Sequence, residues 1–164
     1  MNGLAAPRPI HENFHIADFD SGVPVLDDWL KRRARANQAS GASRTYVVCD
    51  GERVLAYYAL ASGAVEIEEA TGRVRRNMPD PIPVAVLARL AVARSHQGRG
   101  LGRALMRDAA QRVLHAADII GIRAVIVHAI SPEAKAFYLA LGFEASPLQP
   151  STLMATLADL RAAL

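Results

Sequence analysis

The stretch of this 164-residue chain best suited to chemistry is Gln97-Gly98-Arg99-Gly100-Leu101-Gly102. Glycine at three of its six positions lets the main chain turn tightly and lets a ligand approach the backbone. An apolar run over 84–92 precedes it and a helix-period pattern follows, so the loop amides fall at the start of a helix. Free amides there, with the helix dipole behind them, form a cradle for a diphosphate, and Arg99 adds a cation. Neither common nucleotide motif fits. A Walker loop ends in Gly-Lys-Ser/Thr, whereas this one continues Gly102-Arg103-Ala104. A dinucleotide loop follows the first strand of a βαβ unit, with an acid about 20 residues on; this loop comes late in the chain. A tight strand-to-helix turn without a ligand is the plain alternative, and it leaves Arg94 and Arg99 beside the loop unexplained.

The other reactive side chains are dispersed. His11, His15, His96, His115 and His128 have no metal-ligand spacing, and only His96 adjoins the loop. No Ser-His-Asp or Cys-His arrangement stands out. Cys49 lies in a β-branched stretch and reads as core. As the sole cysteine it excludes an internal disulfide and points to a reducing, cytoplasmic setting. Tyr138, beside Phe137, reads by itself as a core aromatic.

These residues need elements to position them. Asp20-Ser21-Gly22-Val23-Pro24 marks a helix start, with Ser21 or Asp20 as cap and Pro24 in the first turn. Val25, Leu26, Trp29 and Leu30 then share one face and Asp27 and Asp28 face away, which predicts a helix to about Ala36 and a loop over 38–43. A strand over 45–49, the hairpin dipeptide Asp50-Gly51 and a returning strand over 54–62 follow, with an extension over 64–68 past a bend at Gly63. Residues 72–80 read as a surface loop and 84–92 as a long strand. Leu101, Leu105, Ala109 and Val113 recur at fours and predict a helix over 101–117. A buried strand over 124–129 leads to Ser131-Pro132-Glu133, a helix start with a capping hydroxyl, and Gly142 ends that helix. Strands at 143–144 and 152–158 close the order. The layout is mixed α/β (α+β): one domain over 1–164, a central, mostly antiparallel twisted sheet flanked by helices, with a loose segment over about 1–12.

Composition is that of an ordinary globular chain, 51% apolar and 21% charged. No apolar run approaches the roughly 20 residues of a membrane span, and the N-terminus does not read as a secretory signal. Charge is unevenly spread. Lys31, Arg32, Arg33, Arg35 and Arg44 stand with no acid between 31 and 48, and Arg89, Arg94, Arg99, Arg103, Arg107 and Arg112 stand against Asp108 alone. All basic residues except Lys31 and Lys135 are arginine, whose planar fork suits phosphate. A solvated surface accounts for any one arginine; two basic clusters lean toward a polyanionic ligand or partner.

Leu90-Ala91-Val92 followed by Gln97-x-x-Gly100-x-Gly102 resembles the acetyl-CoA signature of the Gcn5-related N-acetyltransferases. Ala136-Phe137-Tyr138 to Gly142-Phe143 resembles that family's second landmark. The resemblance covers nearly the whole chain and implies the family's fold and acetyl-CoA as acetyl donor. It implies that Leu90, Ala91 and Val92 border the pantetheine arm. The diphosphate falls to Gln97, Gly98, Arg99, Gly100, Leu101 and Gly102, and Phe137 joins the cofactor site. Ser131 stands where the family often has Asn. The resemblance turns Tyr138 from a core aromatic into the catalytic acid that protonates the departing sulfur, while an amide near Val92 stabilises the oxyanion. A missing general base suits an α-amine acceptor, which titrates near 8 rather than near 10.4 as lysine does.

Residues 19–83 carry a narrower resemblance. Phe19 with Gly22, Leu26-Asp27-Asp28-Trp29-Leu30, Gln38, Ser43-Arg44-Thr45, Tyr57-Tyr58-Ala59-Leu60, Arg75-Arg76-Asn77-Met78-Pro79 and Pro81-Ile82-Pro83 look like the acetyltransferase toxins of toxin–antitoxin pairs. That resemblance implies acetylation of the α-amine of aminoacyl-tRNA. It also implies a small ribbon-helix-helix antitoxin as partner, and a homodimer. Arg35, Arg44 and Arg89 are the candidates for holding the tRNA acceptor end, through phosphate contacts that salt weakens. The alternatives are a metabolic N-acetyltransferase for a small amine or a protein N-terminus, and a silent CoA-binding module. The basic clusters disfavour a polyamine acceptor.

Overall fold

A computed structural model describes residues 4–163. Among them are seven strands: β1 Arg8–Pro9, β2 Arg44–Asp50, β3 Arg53–Val65, β4 Ile82–Val92, β5 Ala124–His128, β6 Glu144–Ala145 and β7 Thr152–Thr156. The helices are α1 Pro24–Arg32, α2 Ala34–Ser40, α3 Gly72–Arg75, α4 Leu101–Ala117, α5 Pro132–Ala140 and α6 Leu157–Ala163. The sheet order is β1-β2-β3-β4-β5-β7-β6. β4 and β5 run parallel, while β1–β2, β2–β3, β5–β7 and β6–β7 pair antiparallel. The chain divides into two compact units, residues 4–61 with Ala88–Ala109, and Ser62–Leu87 with residues 110–163.

The first unit is built on the β2–β3 hairpin, with a bulge at Val48/Cys49. Its core gathers Ile10, Phe14, Phe19, Leu26, Leu30, Val47, Tyr57 and Ala91. Leu30 is fully enclosed, and truncating such a side chain to alanine costs about 2–5 kcal/mol. The N-terminal segment is more ordered than its composition suggests. β1 pairs with β2, Ile10 is buried, and the Ile10 amide donates to the Thr45 carbonyl at 3.0 Å. The rest of that predicted loose segment, Met1 to Gly3, lies outside the described residues.

The first helix also differs from expectation. Val25 is 59% exposed, and Asp27 is buried beside Leu26 and Leu30. Asp27 faces inward because its carboxylate accepts from the Ser21 amide at 3.0 Å and the Ser21 hydroxyl at 2.6 Å. Ser21 therefore serves Asp27 rather than capping the helix. The helical stretch breaks at Arg33 and continues as α2 to Ser40, ending at Gly41 (φ 84°), so the first half of the predicted loop over 38–43 is helix.

The second unit pairs β4 with β5 over Val84–Leu87 and Ala124–Val127. Its core includes Val65, Ala70, Val74, Ile82, Ile126 and Met154. The predicted surface loop over 72–80 contains α3, capped by the Thr71 side chain. The last predicted strand stops at Thr156, whose hydroxyl accepts the Asp159 amide at 3.1 Å and starts α6. β4 continues from Ala88 to Val92 beyond its register with β5.

Candidate active site

A short 3-10 turn, Arg94–His96, links β4 to the glycine-rich loop. Gly98 and Gly100 have φ of 78° and 80°, a region that costs a residue with a Cβ about 1–2 kcal/mol. Together they turn the chain back on itself before α4. The first intrachain amide bond after the loop is Ala104 N to Gly100 O at 3.1 Å. Among the described residues the amides of 98–103 donate to no protein acceptor. Six unsatisfied donors at the head of a 17-residue helix are what an anion site requires. Arg99 and Arg103 flank them, both exposed, and buried Leu101 anchors the turn.

Gln97 is a brace for this loop. Its side-chain amide donates to the Ser21 and Val92 carbonyls, both at 2.8 Å. That engages its amide and the Val92 carbonyl, both expected at the cofactor. Arg94 adds a second tie, backbone amide to the Asp20 carbonyl at 2.8 Å and Nε to the Asp20 carboxylate at 3.2 Å. Farther along α4, the Tyr58 hydroxyl bonds the Asp108 carboxylate.

The second landmark lies on α5. Ser131 is its N-cap, its hydroxyl accepting the Ala134 amide at 3.0 Å. The serine that stands where the family often has asparagine thus caps the helix with one lone pair and keeps its hydroxyl proton to donate. Tyr138 is 8% exposed and stands edge-on to Phe137 and Phe143, with ring centroids 5.1 and 5.6 Å away. Burial pushes its phenol up to about 12. Its hydroxyl has no hydrogen-bond partner among the described residues. A phenol held neutral by desolvation, with a proton not committed elsewhere, is suited to act as an acid.

Residues 41–145 match the acetyltransferase (GNAT) domain. The chain belongs to the GNAT acetyltransferase family. It is 54% identical over 162 residues to a tRNA-acetylating toxin of Mycobacterium tuberculosis, covering 99% of this chain and 98% of that one. AtaT complexed with acetyl-methionyl-tRNAfMet superposes with a TM-score of 0.88 at 25% identity, over 96% of this chain and 97% of that one. A tyrosine-to-phenylalanine variant of AtaT bound to the C-terminus of the antitoxin AtaR and acetyl-CoA superposes with a TM-score of 0.82 at 25% identity, over 96% of each chain.

Within this GNAT chain the three arginines proposed for the acceptor have different surroundings. Arg35 is half-buried and ties the N-terminal segment down, with Nε to the His11 carbonyl at 3.4 Å and Nη2 to the Phe14 carbonyl. Arg44 is exposed, with Nη1 on the Gln38 carbonyl at 2.8 Å. Arg89 lies over the Trp29 ring, 5.3 Å from its centroid, and Trp29 stacks in turn on Tyr57. Leu90 and Phe137 are half-buried, and Ala91 is in the core. Cys49 is buried, its thiol pushed up by desolvation, as suits a core residue. The Ser21–Asp27 and Tyr58–Asp108 pairs were not foreseen from the sequence. Tyr58 and Asp108 meet across 50 positions, and no local pattern signals such a pair.

Proposed function

We propose that this chain transfers the acetyl group of acetyl-CoA to the α-amine of aminoacyl-tRNA, blocking translation as the toxin of a toxin–antitoxin pair. The observation that carries the reading is the 54% identity, over nearly all of both chains, to a tRNA-acetylating toxin. The solved neighbours with acetyl-CoA, acetyl-methionyl-tRNA and an antitoxin tail support it. The unsatisfied amides of 98–103 receive the diphosphate, with Arg99 beside them. The stretch of β4 over 88–92, beyond its register with β5, receives the pantetheine arm, as a strand edge receives an extended peptide.

In the reaction the acceptor nitrogen bonds to the thioester carbon, the C–S bond breaks, and the Tyr138 hydroxyl gives its proton to the leaving sulfur. The nitrogen's surplus proton passes to water, and water returns a proton to the Tyr138 phenolate. An α-amine next to an ester is partly neutral at physiological pH, so no dedicated base is required. Arg44, Arg89 and the exposed arginines of α4 hold tRNA phosphates. The partner is a small ribbon-helix-helix antitoxin, the working form a homodimer, and the compartment the cytoplasm. No helix among the described residues is long and apolar enough to cross a membrane.

The test incubates the protein with labelled acetyl-CoA and a pool of charged tRNA. Label is expected on the aminoacyl moiety and not on uncharged tRNA. Label on free amines with none on aminoacyl-tRNA would overturn the assignment.

A further inference from the structure

Acetyl transfer leaves Arg75-Arg76-Asn77 without a role, yet Arg76 lines a cavity of about 350 Å3 in the second unit. Three arginines line the cavity: Arg73 of α3, Arg76 just after it, and Arg123 just before β5. Ile122, Leu157 and Ala158 form an apolar wall.

The three arginines are not equivalent. Arg73 closes a two-point pair with Asp159, Nε to Oδ2 at 2.8 Å with Nη2 on Oδ1. Arg123 is held by backbone carbonyls, with Nε to Val74 O at 3.0 Å and Nη2 to Arg73 O at 2.8 Å. Those bonds orient its charge without neutralising it. Arg76 is exposed and has no partner among the described residues. Its backbone is nonetheless set by the turn after α3, where Asn77 takes φ 58° and the Met78 amide returns to the Arg75 carbonyl at 3.1 Å. Met78 itself packs against the unit's core. Asp159 pairs with Arg73 and its carboxylate also feels the Arg123 charge, while Glu144 acts on Arg73. Three guanidinium groups against two carboxylates leave the cluster positive, and Arg76 has no carboxylate partner among the described residues.

We propose that this cavity docks an acidic peptide segment of a partner protein. An Asp or Glu carboxylate meets Arg76 and Arg123, and a neighbouring apolar side chain lies against Ile122, Leu157 and Ala158. Charge complementarity selects an anion, and Arg123 is already fixed, so little freedom is lost on binding. The apolar wall separates a peptide from a phosphate chain. Protein surfaces that bind nucleic acid are polar and strongly basic, whereas one side of this cavity is aliphatic and Asp159 and Glu144 offset part of its positive charge. The inference does not depend on the acetyl-transfer reading.

The experiment titrates a fluorescein-labelled Glu-Leu-Glu-Glu-Leu-Glu peptide with the full-length protein and follows anisotropy. The same peptide with lysine for glutamate, and a single-stranded RNA oligonucleotide, serve as comparisons. The acidic peptide is expected to bind saturably and to lose about tenfold in affinity with Arg76→Glu. It is also expected to shift the methyl resonances of Ile122, Leu157 and Ala158. Arg76→Glu is expected to keep its melting temperature and acetyl-transfer rate, since Arg76 holds nothing in the fold. Four outcomes would overturn the proposal: no binding, equal binding by Arg76→Glu, methyl shifts confined to other residues, or tighter binding of the RNA through Arg76.

Discussion

Two strand-to-helix turns in this protein begin alike and end differently. Between β4 and α4 the chain passes through Gly98 and Gly100 and leaves the amides of 98–103 unpaired. Between β5 and α5 it passes through Ser131, whose hydroxyl satisfies the Ala134 amide. The first turn leaves its donors open, while the second uses its cap to hold the helix that carries Tyr138. A helix start is therefore a binding site or a structural joint according to whether a side chain claims its amides first.

The largest effect that would sharpen this contrast is on α5. Tyr138→Phe is expected to lower kcat about 10²–10⁴-fold, the usual contribution of a positioned acid, while acetyl-CoA binding by calorimetry stays unchanged. A near wild-type kcat would remove Tyr138 from the chemistry. The phenol acts in its protonated form, and burial raises its pKa to about 12. The wild-type kcat profile should then show no falling limb from this group near pH 10, where an ordinary phenol ionises. The acid form is lost only as pH rises toward the raised value.

A middle-sized effect is expected at the open turn. Gly100→Ala must place a Cβ at φ 80°, a cost of about 1–2 kcal/mol. If the loop relaxes instead, the amides lose their convergence. The expected result is a KM for acetyl-CoA raised about tenfold with kcat retained; an unchanged KM would argue that the loop is only a turn.

The smallest effect tests the closed turn. Ser131→Ala removes the cap and is expected to cost about 1 kcal/mol of stability, read as a lower melting temperature. Its KM for acetyl-CoA should stay within about twofold, well under 1 kcal/mol of binding. A tenfold rise in KM with an unchanged melting temperature would break the comparison and return Ser131 to the cofactor.

Both turns were legible in the sequence because their determinants are local. Glycines two residues apart, or a serine followed by proline and glutamate, act over three or four positions. The hairpin at Asp50-Gly51 was legible for the same reason. Local patterning failed where a distant or competing contact intervened. Val25 fits a helical apolar stripe, but Asp27 took an inward position because Ser21 offered it two donors. The pattern over 152–158 reads as strand, but the Thr156 hydroxyl captured the Asp159 amide and began α6.

By itself, then, the sequence determined the mixed α/β class, the two landmark turns and the arginine-rich character of the chain. These follow from residue type and near-neighbour spacing, whereas Tyr138 became the candidate acid only through the family resemblance. Only the tertiary structure decided how those residues are used. It made Gln97 a brace between Ser21 and Val92, fastened Arg35 to the N-terminal backbone and raised the Tyr138 phenol by enclosing it. It also brought Arg73, Arg76 and Arg123 to one cavity. Each of these outcomes depends on groups far apart in the chain, and burial and long-range hydrogen bonding act on distance in space, which one-dimensional spacing does not carry.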